Sequence, residues 1–240
     1  MIDFRVAWLC FRFPFAFGKH GAFGGFLGTT NLLEEGLNVA TTDWAGFFFQ
    51  WTFASATCTI VSGAGAERYL FQGCLLSAVM LSAVVYPMAV HWCWSSDAWL
   101  ANGAHNDIAF FDFAGSGVVH VTGDSIAFML INVIGARAGR FNETGEDQSL
   151  SPHNVLPACC CGNSPPDHGW FGFNCGSVLA ASGGNSALAG RVCAITAIGA
   201  SAGGLTAFFI IYFRRCFINL EVLMNGMLAG CVWVTAELRF

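Results

Sequence analysis

Long runs without charged residues dominate the hydrophobic pattern of this chain. The runs 44–66, 69–96 and 192–213 contain no Asp, Glu, Lys or Arg, and the run 113–136 contains one charge, Asp124. A helix that crosses a membrane needs about 20 mostly apolar residues. Each of these four runs therefore predicts a membrane-spanning helix.

Three further segments fit the same pattern less well. The run 169–190 is uncharged but rich in Gly, Ser and Asn, the run 222–236 is short, and 6–17 resembles part of a helix. Close glycine pairs such as Gly203 and Gly204 are typical of tightly packed membrane helices. Together these segments predict an all-α, polytopic membrane helix bundle.

Composition supports a membrane protein and excludes other classes. Hydrophobic residues make up 55% of the chain and charged residues 10%, against about 25% charged in globular domains. The lipid bilayer is thus an expected partner. The net charge of −5, without a basic run, gives no indication of a nucleic-acid partner.

Eleven cysteines are scattered along apolar segments, where we interpret them as small hydrophobic residues and not as a disulfide framework. The cluster Cys159 to Cys161 with His153 and His168 lacks zinc-site spacing. We therefore expect neither a metal nor another cofactor.

The distribution of Arg predicts an orientation, because Lys and Arg collect in cytoplasmic loops. The loop 97–112 has neither residue and is expected outside, whereas the loop 138–168 is expected in the cytoplasm. Arg191 is an exception between two predicted spans. The arginines that define the basic loops are Arg68, Arg137, Arg140, Arg214 and Arg215.

Two ionisable residues bracket a run of small and apolar residues, "DFAGSGVVH". Asp112 is placed to cap a helix N-terminus, where a carboxylate accepts backbone N–H groups. His120 follows by eight residues, roughly 12 Å deeper along a helix. Ionisable groups at that depth usually face a cavity or relay. A structural histidine bonded to a neighbouring helix is the alternative.

Asp124 follows His120 by four residues, so the two side chains can meet on one helix face and form an ion pair. A protonated Asp124 bonded to a neighbouring helix, or an error in the sequence, would also explain a charge within an apolar run. These alternatives stay open at the level of sequence.

Six motifs occur in the order and approximate spacing of one known family. With "DFAGSGVVHVTG" (112–123), the chain resembles the ammonium transporter family, the Amt/Mep/Rh group, in its plant-like or eukaryotic branch. The other five motifs are "FFFQWTFASATCTIVSGAGAER" (47–68), "VVYPMAVHWCWSSDAWL" (84–100), "GARAGRF" (135–141), "GWFGFNCGSVLAASGG" (169–184) and "NGMLAG" (225–230).

The resemblance implies transmembrane transport of ammonium or ammonia, not an enzyme activity, through a pore within each subunit. It implies a homotrimer, or a heterotrimer with related subunits, in the plasma membrane. It assigns ammonium recruitment to Trp94, Phe49, Phe53 and Ser177, and a phenylalanine gate to Phe53 and Phe173. Asp112 would stabilise the recruitment site, and His120 would be a pore histidine.

The chain also departs from the family. A second pore histidine is absent, and Pro165, Pro166 and Asp167 interrupt an expected apolar segment. We therefore interpret 1–240 as one incomplete domain of the family. A non-transporting ammonium-sensing or regulatory subunit, or an inactive fragment, is the alternative function. From composition alone, any one aromatic residue is more often in contact with lipid or core than with a pore.

Overall fold

Helices account for the regular structure wherever the chain can be described. The computed structural model describes residues 13–18, 26–28, 44–102, 109–141, 144–145, 166–179, 182, 185–216 and 220–238. No β-strand occurs within these ranges. The chain divides into two units, Met1–Phe141 and Asn142–Phe240, and each is described by itself.

Four helices form the described part of the first unit. They are α1 (Phe13–Phe17), α2 (Trp44–Gly65), α3 (Phe71–Trp94) and α4 (Ser116–Ile134). Three helices form the described part of the second unit. They are α5 (Pro166–Gly176), α6 (Asn185–Arg215) and α7 (Leu220–Val234).

Three helices in the described ranges are long and apolar enough to cross a membrane: Phe71–Trp94, Ser116–Ile134 and Asn185–Arg214. Their outward faces carry large apolar side chains, such as Val133, which is 82% exposed. Helix α2 has 22 residues but is less apolar, because it contains Gln50 and several Ser and Thr residues. The predicted all-α membrane fold class is confirmed.

Helices α2, α3 and α4 meet in an apolar core. Val61, Leu81 and Ala127 are buried at its centre, one from each helix. Helix α4 approaches α2 closely at Gly123, where an added Cβ would lie 3.2 Å from Cδ1 of Ile60. A small residue at this position therefore allows the two helix backbones to come together.

Two of the long helices contain a π-helical turn. In α3 the turn Leu81–Val85 lies just before Pro87, which has no N–H group to continue the α-helical pattern. In α4 the turn Ser116–Val121 begins the helix, and both Val119 N and His120 N donate to the Gly115 carbonyl at 3.0 Å. Such turns often occur at functional sites.

The second unit corrects the predicted boundary between 169–190 and 192–213. Helix α5 already ends at Gly176, and Leu179 has a φ of 56°, a value that interrupts helix. Helix α6 begins at Asn185 and includes Arg191 in its first turns. The absence of charge in 169–190 predicts one span, whereas its Gly, Ser and Asn residues disfavour a continuous helix.

Pro166 is the first residue of α5, while Pro165 lies outside the described residues, so the predicted interruption of an apolar segment before α5 stays a prediction. Proline is favoured at the first position of a helix because its missing N–H group has no partner in the first turn anyway. The segment 155–165 and most of the predicted partial helix 6–17, residues 6–12, lie outside the described residues.

Helices α6 and α7 pack backbone to backbone. A Cβ on Gly230 would overlap the Gly199 carbonyl oxygen, and a Cβ on Gly203 would overlap the Gly226 carbonyl oxygen. Close packing through small residues is how membrane helices associate. The helix contact predicted at Gly203 and Gly204 is present in this pair.

Candidate functional site

Asp112 organises the start of α4. One carboxylate oxygen, Oδ1, accepts hydrogen bonds from the backbone N–H groups of residues 115 and 116, and Oδ2 accepts them from residues 117 and 118, all at 2.8 Å. These are N–H groups that a helix N-terminus leaves without partners. The carboxylate therefore replaces a missing helical turn, as the expected capping role requires.

The glycines of the motif make this arrangement possible. Gly115 has a φ of +99°, a conformation that side chains rarely adopt, and a Cβ there would lie 2.6 Å from Cγ2 of Val119. A Cβ on Gly117 would lie 2.8 Å from the Phe110 ring and 3.4 Å from Oδ2 of Asp112. The backbone can wrap around the carboxylate only because both positions lack side chains.

Burial and hydrogen bonding act on Asp112 in opposite directions. The side chain is 8% exposed, and this burial raises the pKa of its carboxyl group above the ordinary value. The four N–H donors oppose the rise because they stabilise the charged form. The donors thus offset part of the effect of burial on the charged form of this carboxyl group.

An aromatic cluster lies against the same residue. The Phe49 and Phe53 rings pack edge to face at 4.7 Å, and the Phe53 and Trp94 rings at 5.7 Å. The Trp94 indole N–H donates to the Asp112 carbonyl at 2.6 Å. Phe53 is 1% exposed, whereas Phe49 and Trp94 are half-buried. The first unit thus brings Phe49, Phe53, Trp94 and Asp112 together.

His120 lies in the π-helical turn of α4 and is buried at 8% exposure. The buried stripe of the helix continues through Gly123 and Ala127, while Asp124 is exposed. His120 is thus buried and Asp124 exposed, and the ion pair between the two side chains stays a prediction.

Phe173 and Ser177 belong to the second unit. The Ser177 hydroxyl donates to the Phe173 carbonyl at 2.9 Å, and the Phe173 ring contacts that of Trp170 at 5.2 Å. The gate formed by Phe173 with Phe53, and the joint action of Ser177 with Trp94, stay predictions, since they combine residues of separate units.

Other buried polar residues were missed by the sequence analysis. His91 is fully buried, with Nδ1 3.0 Å from the Ala16 carbonyl. Asn174 is also fully buried, and its side-chain amide donates to the Thr196 hydroxyl at 3.1 Å. The signal that singled out His120, an ionisable residue within an apolar run, applies equally to His91.

Two cysteines differ from the interpretation of the cysteines as small hydrophobic residues without disulfides. Cys175 on α5 and Cys193 on α6 are disulfide-bonded, with their Cα atoms 6.1 Å apart. Among the described residues, no group of three or more His, Cys, Asp or Glu side chains could hold a metal ion. Cys159 to Cys161 and His153 lie outside those residues.

Known proteins resemble this chain along its whole length. The profile of the Ammonium Transporter Family matches residues 1–240. Ammonium transporter Amt2 of Archaeoglobus fulgidus is 34% identical over 244 residues, covering 98% of this chain and 51% of that protein. Ammonium transporter 1 member 3 of Solanum lycopersicum is 34% identical, covering 96% of this chain and 52% of that protein.

A solved structure described as "Sensor Amt Protein" superposes with a TM-score of 0.84 at 33% identity, covering 98% of this chain and 57% of that one. The chain spans about half the length of the curated relatives it matches. Its family match and its apolar helices agree with each other. The chain is therefore an integral membrane protein that belongs to the ammonium transporter family.

Proposed function

We propose that this protein forms part of a pore that conducts ammonium or ammonia across a membrane. The observation that carries the proposal is the double contact of Trp94. Its indole ring packs on Phe53, and its N–H group donates to Asp112, whose carboxylate starts the helix that bears His120. An aromatic surface for a cation is thus joined rigidly to the helix with a buried histidine.

The chemistry of each group fits a step of such a path. The half-buried rings of Trp94 and Phe49 can attract an ammonium ion through cation–π interaction, and Ser177 would add a hydroxyl. A buried apolar ring, Phe53, favours neutral ammonia over the ion, and Phe173 would be its partner in a gate. His120 offers a donor and an acceptor to ammonia beyond it.

Assembly and location follow from the same proposal. The pore would lie within each subunit of a homotrimer, or of a heterotrimer with related subunits, in the plasma membrane. Because the chain spans about half of its curated relatives, a complete pore would need a further portion of the family's length.

The test uses yeast that lacks its own ammonium transporters. The chain is expressed alone and together with the portion of the tomato relative that it does not match. We expect uptake of labelled methylammonium and growth on low ammonium only for the pair, because the chain alone leaves pore walls unfilled. Co-purification shows that the pair assembles.

His120→Ala should abolish the uptake, while Asp124→Asn, an exposed carboxylate on the same helix, should preserve it.

An assembled pair without uptake would contradict the transport proposal. Growth supported by the chain alone would contradict the need for a further portion. Equal uptake by the His120→Ala variant would remove that histidine from the path.

A second candidate function is ammonium sensing without transport. It is favoured by the similarity to the structure described as a sensor. Binding and flux distinguish the two functions: ammonium-dependent quenching of tryptophan fluorescence without any ammonium-driven current in proteoliposomes would favour sensing, and quenching with a current would favour transport.

A further inference from the structure

The disulfide between Cys175 and Cys193 lies at a defined place in the second unit. It joins the last turn of α5 to a position nine residues into α6, counting Asn185 as the first. Beside it, the fully buried Asn174 donates to Thr196 on α6, whose hydroxyl donates to the Val192 carbonyl at 2.8 Å. A covalent and a polar link thus hold the same two helices together.

The length of α6 relates this bond to the membrane surfaces. From Cys193 to Arg214 the helix rises through 21 residues, roughly 32 Å. That distance is close to the hydrocarbon thickness of a bilayer, about 30 Å. When Arg214 and Arg215 lie at one membrane interface, Cys193 therefore lies near the opposite interface. Arg191 then lies at the polar edge of that opposite interface.

Two independent rules give this helix the same direction. Arginines at the C-terminal end of α6 place that end in the cytoplasm. Disulfides persist outside the cytoplasm and are rare within it, which places Cys193 on the outer side. The reverse orientation would put the disulfide in a reducing compartment and the paired arginines outside, and would violate both rules.

We propose that Cys175 and Cys193 form a disulfide at the outer membrane surface that clamps the end of α5 onto α6. The clamp holds the segment between Phe173 and Ser177, because Cys175 lies two residues from each. This inference does not rest on the proposed function, since the bond and its location can be measured without any transport assay.

The bond forms by thiol–disulfide exchange with a low-molecular-weight disulfide such as glutathione disulfide. One cysteine thiolate attacks the glutathione disulfide and expels one glutathione thiolate, and the second cysteine then attacks the mixed disulfide and expels the other. The two cysteines lose two protons and two electrons in total. The glutathione disulfide gains them and becomes two thiols.

The experiment inserts a thrombin site after Ser182, in the segment between α5 and α6. Thrombin is added to intact cells, thiols are then blocked with N-ethylmaleimide, and the fragments are run on gels with and without reductant. We expect cleavage in intact cells, fragments that stay joined without reductant, and separation with it. Cys193→Ser should separate under both conditions. Cys231→Ser, a buried cysteine on α7, should behave like the parent.

Separation of the parent fragments without reductant would overturn the disulfide. Cleavage only after permeabilisation would overturn the outer location. Because the insertion could disturb folding, the unmodified chain is also digested without reductant and analysed by mass spectrometry. A linked peptide pair containing Cys175 and Cys193 supports the bond, and its absence, with both peptides found alkylated, contradicts it.

Discussion

The substitution Asp112→Asn tests whether the Asp112 carboxylate holds the start of α4 together. An asparagine keeps one oxygen acceptor, but its NH2 group replaces the other oxygen and faces two backbone N–H donors. Two of the four 2.8 Å hydrogen bonds are then lost. Each buried donor left without a partner costs about 1–3 kcal/mol. The helix start should therefore lose about 2–6 kcal/mol of local stability.

Hydrogen exchange measures this loss directly, because the amides concerned are those of residues 115–118. At the lower bound, about 2 kcal/mol corresponds to roughly 30-fold faster exchange. Mass spectrometry on the peptide covering the start of α4, in detergent, reports the change. The matched control is Asp124→Asn, an exposed carboxylate on the same helix, which should leave this peptide unchanged.

Exchange in Asp112→Asn within threefold of the parent would refute the reasoning. It would mean that water or a rearranged turn satisfies the N–H groups as well as the carboxylate does. A similar acceleration in Asp124→Asn would show that the effect is not specific to the cap.

Three further predictions concern recruitment, packing and topology. In the assembled pair of chains, Trp94→Leu should weaken ammonium affinity by up to about 30-fold, which corresponds to about 2 kcal/mol of cation–π attraction. The control Trp233→Leu, at a site that is 82% exposed, should leave the affinity unchanged, and uptake measured across ammonium concentrations compares the two variants. Gly230→Ala should destabilise the second unit by about 1–3 kcal/mol, because the added Cβ would overlap Gly199. The control Gly190→Ala has open space around its Cβ and should be neutral or stabilising. Thermal unfolding in detergent measures both variants, and equal midpoints would contradict the close packing of α6 and α7. A single cysteine at Gly103 should react with an impermeant thiol reagent in intact cells, whereas a single cysteine at Gly145 should react only after permeabilisation. Labelling of both cysteines from the same side would disprove the topology.

Features that depend on local sequence were predictable. The apolar runs that correspond to α3, α4 and most of α6 carry at most one charge each between their ends and are long enough to cross a bilayer by composition alone. Asp112 precedes a run of small residues, and capping requires only such a local pattern. The aromatic motif placed Phe49 and Phe53 one helical turn apart on α2, where their rings are in contact.

Features that depend on contacts between distant residues were not predictable. The pairing of Cys175 with Cys193, separated by 18 residues, and the hydrogen bond from Asn174 to Thr196 arise only when α5 lies beside α6. The end of α5 at Gly176 was not predicted, because the span 169–190 was defined by its lack of charged residues, which gives no information on where the backbone turns.

The π-helical turn at Ser116–Val121 constrains how this region can evolve. A π-helical turn holds one residue more than an α-helical turn, so a single deletion there would leave an ordinary helix that hydropathy cannot distinguish from the original. Because the turn accommodates its extra residue, the deletion would leave the later residues, Gly123 and Ala127 among them, on the same helix face but would shorten the stretch whose N–H groups bind Asp112. Neither the length nor the glycines of this stretch can therefore change freely, since a shorter turn or a Cβ on Gly117 would disturb the backbone around the carboxylate.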